Sequence, residues 1–377
     1  MNDGRMTDRD HMREALALAR KGVALATPNP MVGAVVVQRD RIVGRGFHTW
    51  QGLKHAEILA IEEAGEAARG ATVYQTLEPC SHTGRTGPCA DALIAAGVAK
   101  VVAASADPNP LVAGEGFRRL RAAGVQVEIA TEFQAEAEKL NEPFFHFMRT
   151  GRPLVTLKAA STLDGKIAAP EDNTGWITSE RARAHVQELR HASDAIITGI
   201  GTALADDPRL TDRSGLPRAR SLWRVVLDST LRLPLESQLV QTAAGSSNND
   251  LIVAATSAAS PERRRALENR GVEVKMFDGP RGRVDIRDVV ALLSERRCLS
   301  VLLEAGSKVN WAALESGVVD KVFLYYAPKI LGGLQSLPMA GGTGRMRRAD
   351  AILLERTTLH PIPPDEFAVE AYVRKDV

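Results

Sequence analysis

Residues 76–98 read TLEPCSHTGRTGPCADALIAAGV. The run 72–76 that leads into this stretch has the β-branched and aromatic residues of a short strand, and 88–96 near its end has the apolar spacing of a helix. Cys80 and Cys89 bracket the loop between them, separated by SHTGRTGP. A strand running through a polar loop into a helix is the repeating unit of an α/β sheet.

The unit recurs on both sides. Toward the amino terminus, Thr7 to Asp10 forms a capping box ahead of Met12, Ala15, Leu16, Ala19 and Val23, which predicts an amphipathic helix. GAVVV and RIVGRGF, joined by QRD, predict two short strands, and a helix is expected over 55–68. Beyond the cysteines come strand 100–105, helix 116–123, strand 125–130 and one helix over 131–148. RTGRP at 149–153 is a Gly/Pro break, so the chain divides into domains 1–150 and 151–377. The second domain alternates again, with strands at 154–159, 195–198, 223–228, 251–255, 272–276, 299–304 and 322–326. Helices are expected at 179–190, 261–269, 284–295 and 308–315, with antiparallel carboxy-terminal strands closing the sheet. The polar stretches 212–220 and 242–250 are expected to be exposed loops.

Composition narrows the function classes. The 377 residues suit two domains, and 44% hydrophobic with 25% charged residues describes an ordinary folded protein. Lys plus Arg stands at 17 against 18 Asp plus Glu in residues 1–150, and at 31 against 28 in the remainder. Neither part is a basic nucleic-acid arm. No apolar run approaches the roughly 18 residues of a membrane helix, and the amino terminus lacks the apolar core of a signal peptide, so a cytoplasmic protein with no membrane partner is expected. Three cysteines are too few for a disulfide framework.

His55-Ala56-Glu57 opens a predicted helix, and Pro79-Cys80 and Pro88-Cys89 follow the next strand. One imidazole and two thiolates form a three-ligand set for a catalytic Zn²⁺, leaving the fourth position to water. The thiolates neutralise the dication, and the metal acidifies its water. Glu57 is then the natural acid and base. Cys89, at a helix start, gains dipole support for a thiolate. A closed structural zinc would instead need a fourth protein ligand, for which His82 is the candidate. H-x-E, then P-C, then C is the order of zinc-dependent base deaminases, although their last element is usually C-x-x-C.

The long inter-cysteine loop points more narrowly. PNPMVGAVVV (28–37), HAEILA (55–60) and the stretch 76–98 together resemble the amino-terminal domain of the bifunctional riboflavin-biosynthesis deaminase/reductase family. The resemblance spans about Ala15 to Met148. It implies a cytidine-deaminase-like αβα domain, zinc on His55, Cys80 and Cys89, proton transfer by Glu57, and substrate contacts at Asn29, His48 and Arg85. As residues alone, Asn29 also fits a turn between two prolines, His48 the polar end of a strand and Arg85 a solvated loop charge.

A second constellation lies in the carboxy-terminal half. GIGTALADDPRLT (199–211) contains a G-x-G, but Leu204 stands where the third glycine of a dinucleotide fingerprint belongs. Glu304-Ala-Gly-Ser-Lys-Val-Asn ends a strand and opens a helix whose free N–H groups suit an anion, and equally describes an ordinary turn. KAASTLDGKIA, GWITSE, GIGTALADDPRLT, VVLDS, LLEAGS and APKILGG occur in the order of the reductase domain of the same family. That domain is similar to dihydrofolate reductase in fold. The resemblance implies NADPH-dependent reduction of a ribosyl group to a ribityl chain. Ala160, Trp176, Thr202, Asp206, Ser229 and the turn Gly306, Ser307, Lys308, Val309 and Asn310 would contact the cofactor. Thr174, Arg190, Leu210, Arg213 and Glu304 would contact substrate. Arginine forks suit phosphate oxygens, although either arginine also fits a surface charge. Lys158 would assist substrate binding or protonation, or pair with Asp164, and Trp176 also fits a core position.

Two other readings compete. A nucleic-acid base deaminase would use the same zinc chemistry, but it requires a basic channel and stacking aromatics, and the chain is only 5% aromatic. A structural zinc module with His82 as fourth ligand would not need Glu57. Two sites on one chain suit a homo-oligomer acting on a small phosphorylated pyrimidine. Cys298, in RRCLS, has no assigned role.

Overall fold

The computed structural model describes residues 6–109, 112–171, 175–244 and 250–375. The chain divides into two units, Met1–Gly151 with Pro217–Arg220, and Arg152–Leu216 with Ser221–Val377.

The first unit runs α1 (Asp8–Arg20), β1 (Gly33–Gln38), β2 (Arg41–Phe47), α2 (Ala56–Ala64), β3 (Thr72–Gln75), α3 (Cys89–Ala95), β4 (Lys100–Ala103), α4 (Glu115–Ala122), β5 (Gln126–Ile129), α5 (Gln134–Leu140) and α6 (Glu142–Thr150). Its sheet has the order β2-β1-β3-β4-β5. The hairpin partner β2 and strand β3 are antiparallel to β1, while β3, β4 and β5 are parallel. The Thr7–Asp10 capping box opens α1. Its apolar stripe, Met12, Ala15 and Leu16, packs with Ala137 of α5 on Val35, Val37, Tyr74 and Val102. Helix α2 lies directly on β2 because Gly46 has no side chain: a Cβ there would stand 2.1 Å from the Ala56 carbonyl oxygen. That contact sets the start of α2, where His55 and Glu57 sit.

The single helix expected over 131–148 is broken at Asn141. The buried Asn141 amide accepts from the Met31 N–H at 2.7 Å and donates to the Met31 carbonyl at 2.8 Å. It ties the break to the segment before β1, and Pro143 restarts the chain as α6.

The second unit runs β6 (Leu154–Thr162), β7 (Lys166–Ala168), α7 (Glu180–His191), β8 (Ala195–Gly199), α8 (Ile200–Asp206), β9 (Trp223–Leu227), α9 (Gln238–Ala244), β10 (Leu251–Ala255), α10 (Pro261–Glu268), β11 (Glu273–Met276), α11 (Ile286–Glu295), β12 (Ser300–Leu303), α12 (Ser307–Glu315), β13 (Lys321–Ala327), β14 (Leu337–Pro338), β15 (Leu354–Ile362) and β16 (Glu366–Val373). Among the described residues the main sheet has the order β11-β10-β9-β8-β12-β6-β13-β16-β15. It is parallel from β11 to β13, and β16 and β15 close it antiparallel.

Both faces of the parallel part are buried, and successive residues go to opposite sides. Ile197, Val225 and Val301 meet Val289 and Leu293 of α11 and Ala313 of α12, whereas Ile196, Val226 and Leu302 meet Leu239 and Val240 of α9 and Leu267 of α10. Cys298 is fully buried in the first of these clusters and is a packing residue. Helix α8 was not expected from the sequence, and the loop expected at 242–250 starts inside α9; residues 245–249 lie outside the described residues. Among the described residues no helix is long and apolar enough to cross a membrane.

Candidate active sites

At the carboxy end of β3 the chain turns through Glu78 and Pro79 to Cys80, and α3 begins at Cys89. His55, the residue before α2, comes in from the side. Its Nδ1 lies 3.1 Å from Cys89 Sγ and 3.5 Å from Cys80 Sγ, and the three ligand atoms lie within 4.8 Å of one another. Cys80 Sγ also accepts the Cys89 N–H at 3.3 Å. Hydrogen bonding from Cys89, helped by His55, lowers the Cys80 thiol to about 4, and the hydrogen bond to Cys80 with burial pushes the Cys89 thiol up. Glu57, in the first turn of α2, is buried beside this group, and burial lifts its carboxyl to about 7 against the pull of His55. His82 is exposed and outside the cluster, so a four-ligand closed site is not formed by it.

The expected substrate contacts adjoin this centre. His48 is buried, stands edge-on to the His55 ring at 5.0 Å, and lies 2.9 Å from Asn29 Nδ2 through Nε2 and 2.9 Å from the Lys54 carbonyl through Nδ1. Arg85, in the exposed inter-cysteine loop, lies over the Trp50 ring at 4.1 Å and donates to its carbonyl at 3.2 Å.

The second group gathers at the carboxy ends of four neighbouring parallel strands, β9, β8, β12 and β6, where open α/β sheets bind ligands. Strand β6 carries Lys158 and Ala160. Thr202 and Asp206 follow β8 on α8, Ser229 follows β9, and Glu304 and α12 follow β12. The turns after β8 and β12 touch: a Cβ on Gly306 would stand 3.2 Å from Thr202 Oγ1, and one on Gly199 2.7 Å from Val309 Cγ2. In the first turn of α12, Ser307 Oγ and Asn310 Oδ1 are buried without a hydrogen-bond partner, while Asn310 Nδ2 donates to the Met339 carbonyl at 2.8 Å.

Glu304 accepts from Arg190 Nε at 2.7 Å and Nη2 at 3.0 Å, and Lys158 Nζ stands 3.6 Å away. Burial works to raise the Glu304 carboxyl, but Lys158 and Arg190 outweigh it and hold it below the usual range. Burial lowers Lys158 more than Glu304 restores it. The alternative Lys158–Asp164 pair does not form, because Asp164 accepts from Thr162 Oγ1 and the N–H groups of Leu331 and Gly332.

Two family matches cover most of the chain. Residues 5–105 match the cytidine and deoxycytidylate deaminase zinc-binding region, and residues 153–361 match the RibD C-terminal domain. The chain is 44% identical to riboflavin biosynthesis protein RibD of Actinobacillus pleuropneumoniae over 96% of its length and 94% of that protein. The chain belongs to the RibD family. Escherichia coli RibD is 41% identical, covering 96% of this chain and 98% of its own. The crystallised Acinetobacter baumannii RibD superimposes with a TM-score of 0.84 at 36% identity, over 98% of this chain and 99% of that one. The Thermotoga maritima diaminohydroxyphosphoribosylaminopyrimidine deaminase/5-amino-6-(5-phosphoribosylamino)uracil reductase gives 0.79 at 35%, over 97% and 98%. This chain is therefore a deaminase and a reductase of riboflavin biosynthesis in one polypeptide, with a zinc-binding deaminase domain and a reductase domain of an NADPH-using family.

The residues present fit both groups. One imidazole and two thiols within reach of a common point are a zinc donor set. The partnerless Ser307 and Asn310 oxygens, beside a glycine whose side chain would meet Thr202, fit a polar cofactor group at the α12 start.

The other residues expected of the RibD reductase half are placed as follows. Trp176 is 70% exposed with the Arg183 guanidinium 4.7 Å over its ring, so it is not a core residue. Arg213 is exposed, and its backbone N–H is held by Gln187 at 3.0 Å. Leu210 is buried at φ 52°, a left-handed conformation costly for a branched side chain. Thr174 lies outside the described residues.

Sequence reasoning missed the residues that hold the 207–213 loop. Fully buried Arg224 donates to the Arg209 carbonyl at 3.0 Å and to Asp250 at 2.6 Å, Gln238 brackets Asp207, and His191 Nδ1 lies 2.8 Å from Asp212. The one available signal was Arg224 itself, a charge inside the apolar run WRVVL.

Proposed function

We propose that residues 1–150 hydrolyse the exocyclic amine of 2,5-diamino-6-ribosylamino-4(3H)-pyrimidinone 5′-phosphate, and that residues 151–377 then reduce the ribosyl side chain with NADPH. The product is 5-amino-6-(5-phosphoribitylamino)uracil. The observation that carries the reading is the His55–Cys80–Cys89 group with Glu57 buried against it. When bound, zinc on those three ligands supplies an acidified water, and NADPH supplies a hydride to the sugar C1.

The chain's own residues do the rest. Glu57 takes a proton from the attacking water and passes it to the pyrimidine ring nitrogen, then takes the hydroxyl proton of the tetrahedral adduct and delivers it to the amine, which leaves as ammonia as the carbonyl forms. Asn29, His48 and Arg85 orient the substrate, Arg85 through its phosphate. In the second half Ala160, Trp176, Thr202, Asp206, Ser229 and Gly306 to Asn310 bind the cofactor. Arg190, Arg213, Thr174, Leu210, Glu304 and Lys158 bind the ribosyl phosphate, with Glu304 on ribose hydroxyls. The reading includes a cytoplasmic homo-oligomer, which sedimentation of the full chain tests.

Ammonia and NADPH are followed separately in wild type and Cys80→Ser. The variant is expected to release no ammonia and to oxidise NADPH only when given deaminated substrate. Ammonia release from zinc-free protein contradicts the first half of the proposal, and NADPH oxidation indifferent to deamination contradicts the second.

A further inference from the structure

Glu78 lies two residues before Cys80, and its side chain is buried. All of its acceptor capacity is used. Oε2 accepts the N–H groups of Asp107 at 3.2 Å and Gly114 at 2.9 Å, and Oε1 accepts those of Gly116 at 3.0 Å and Phe117 at 3.3 Å. Gly116 and Phe117 are in the first turn of α4, whose donors have no partner within the helix. The residue before the helix is Gly114, which has no side chain to cap it. The cap is supplied from another part of the chain.

The contact is close as well as polar. A Cβ on Gly116 would stand 2.0 Å from the Pro79 carbonyl oxygen, so Glu78 and Pro79 lie flat on the α4 turn. On the far side of Pro79, Cys80 is tied to α3, with its carbonyl accepting from Ala90 at 3.2 Å and its sulfur from Cys89. Beyond Cys80 the loop is largely exposed through 82–87. The chain therefore enters Cys80 from an amino-terminal side held by Glu78, opposite its ties to α3.

We propose that Glu78 is a positioning residue for the metal centre: its grip on the α4 start fixes Pro79 and so aims the Cys80 thiolate at the metal. The proposal rests on the zinc reading of His55, Cys80 and Cys89. A glutamine at 78 keeps the shape but turns an NH₂ donor toward N–H donors, so one side of the grip becomes repulsive. An aspartate keeps the charge but falls one methylene short.

The test measures Zn²⁺ affinity of the full chain by competition with a chromophoric chelator, and the visible spectrum of the Co²⁺-substituted protein. Glu78→Gln is expected to bind Zn²⁺ about 10–100-fold more weakly, the range for groups that orient metal ligands, and to shift the cobalt bands. NADPH oxidation with deaminated substrate should stay at the wild-type level, showing that the variant is folded. Glu78→Asp should be intermediate, and it carries the test if the glutamine variant does not fold. Leu120→Ala, a core change in the same helix, should lower the melting temperature and leave Zn²⁺ affinity unchanged. Wild-type affinity and an unaltered cobalt spectrum in both Glu78 variants would overturn the proposal, as would an equal affinity loss in Leu120→Ala. Failure of the wild type to bind either metal would instead refute the zinc reading itself.

Discussion

The Arg190 guanidinium forks the Glu304 carboxylate through Nε at 2.7 Å and Nη2 at 3.0 Å, and Lys158 Nζ stands 3.6 Å from the Oε2 that Nη2 also meets. Two residues expected to hold substrate are thus also partners of each other. Removing one member of a buried pair strands the remaining charge. Glu304→Ala removes the carboxylate shared by buried Lys158 and Arg190 and should cost about 3–5 kcal/mol of stability. Reductase activity should be lost while ammonia release persists, as read by thermal melts and separate assays.

The same carboxyl gives a pH signature. Its folded pKa lies below the unfolded value of about 4.3, so its contribution is fully present above that value and is lost as pH falls through the lower folded pKa. Urea midpoints measured downward from pH 5 should fall more steeply for wild type than for Glu304→Gln. Parallel curves would show that Glu304 gives the folded state no acid-labile stability.

Metal removal should separate the two activities. Dialysis against a zinc chelator is expected to abolish ammonia release and leave NADPH oxidation of deaminated substrate intact, with Zn²⁺ alone restoring the first. Because thiols bind metal only as thiolates, uptake should release protons into a weakly buffered solution, which a pH indicator detects.

Glu57→Gln should retain zinc at wild-type stoichiometry, measured by elemental analysis. It should lower the ammonia-release rate by at least about 10²-fold, the low end for a positioned acid and base. Comparable rates in the two proteins would assign proton transfer elsewhere.

Gly306 has φ −80° and ψ 171°, open to any residue, so its constraint is space. Gly306→Ala places a Cβ 3.2 Å from Thr202 Oγ1. The KM for NADPH should rise several-fold with little change in melting temperature. Adding Thr202→Ala should recover part of it, since residues in contact couple non-additively.

Local pattern made the strands, the capping box and the cysteine loop legible, because alternation and helical spacing are written in consecutive residues. What escaped depends on distant partners. Asn141 breaks a continuous helical pattern only because Met31, far away in the chain, offers both backbone groups to it. Helix α8 was hidden by Gly199 just before it and Gly201 within it, whose lack of side chains reads locally as a turn. Trp176 carries no local sign of facing solvent. The motif residues of both sites were legible by type, but not that Arg190 spends its fork on Glu304, nor that Glu78 caps a helix thirty-odd residues downstream.

Strand β6 is the first strand of its unit, yet both its sheet neighbours, β12 and β13, come from the far end of the chain. At roughly 5–20 residues per second, a ribosome needs on the order of ten to thirty seconds to reach β12 after finishing β6. Throughout that interval an apolar strand waits with two open edges, the kind of surface that recruits other chains. A product truncated before β12 would keep Lys158 but never acquire the neighbours that bury it. Interrupted synthesis of this half should therefore yield aggregates rather than a partly active reductase.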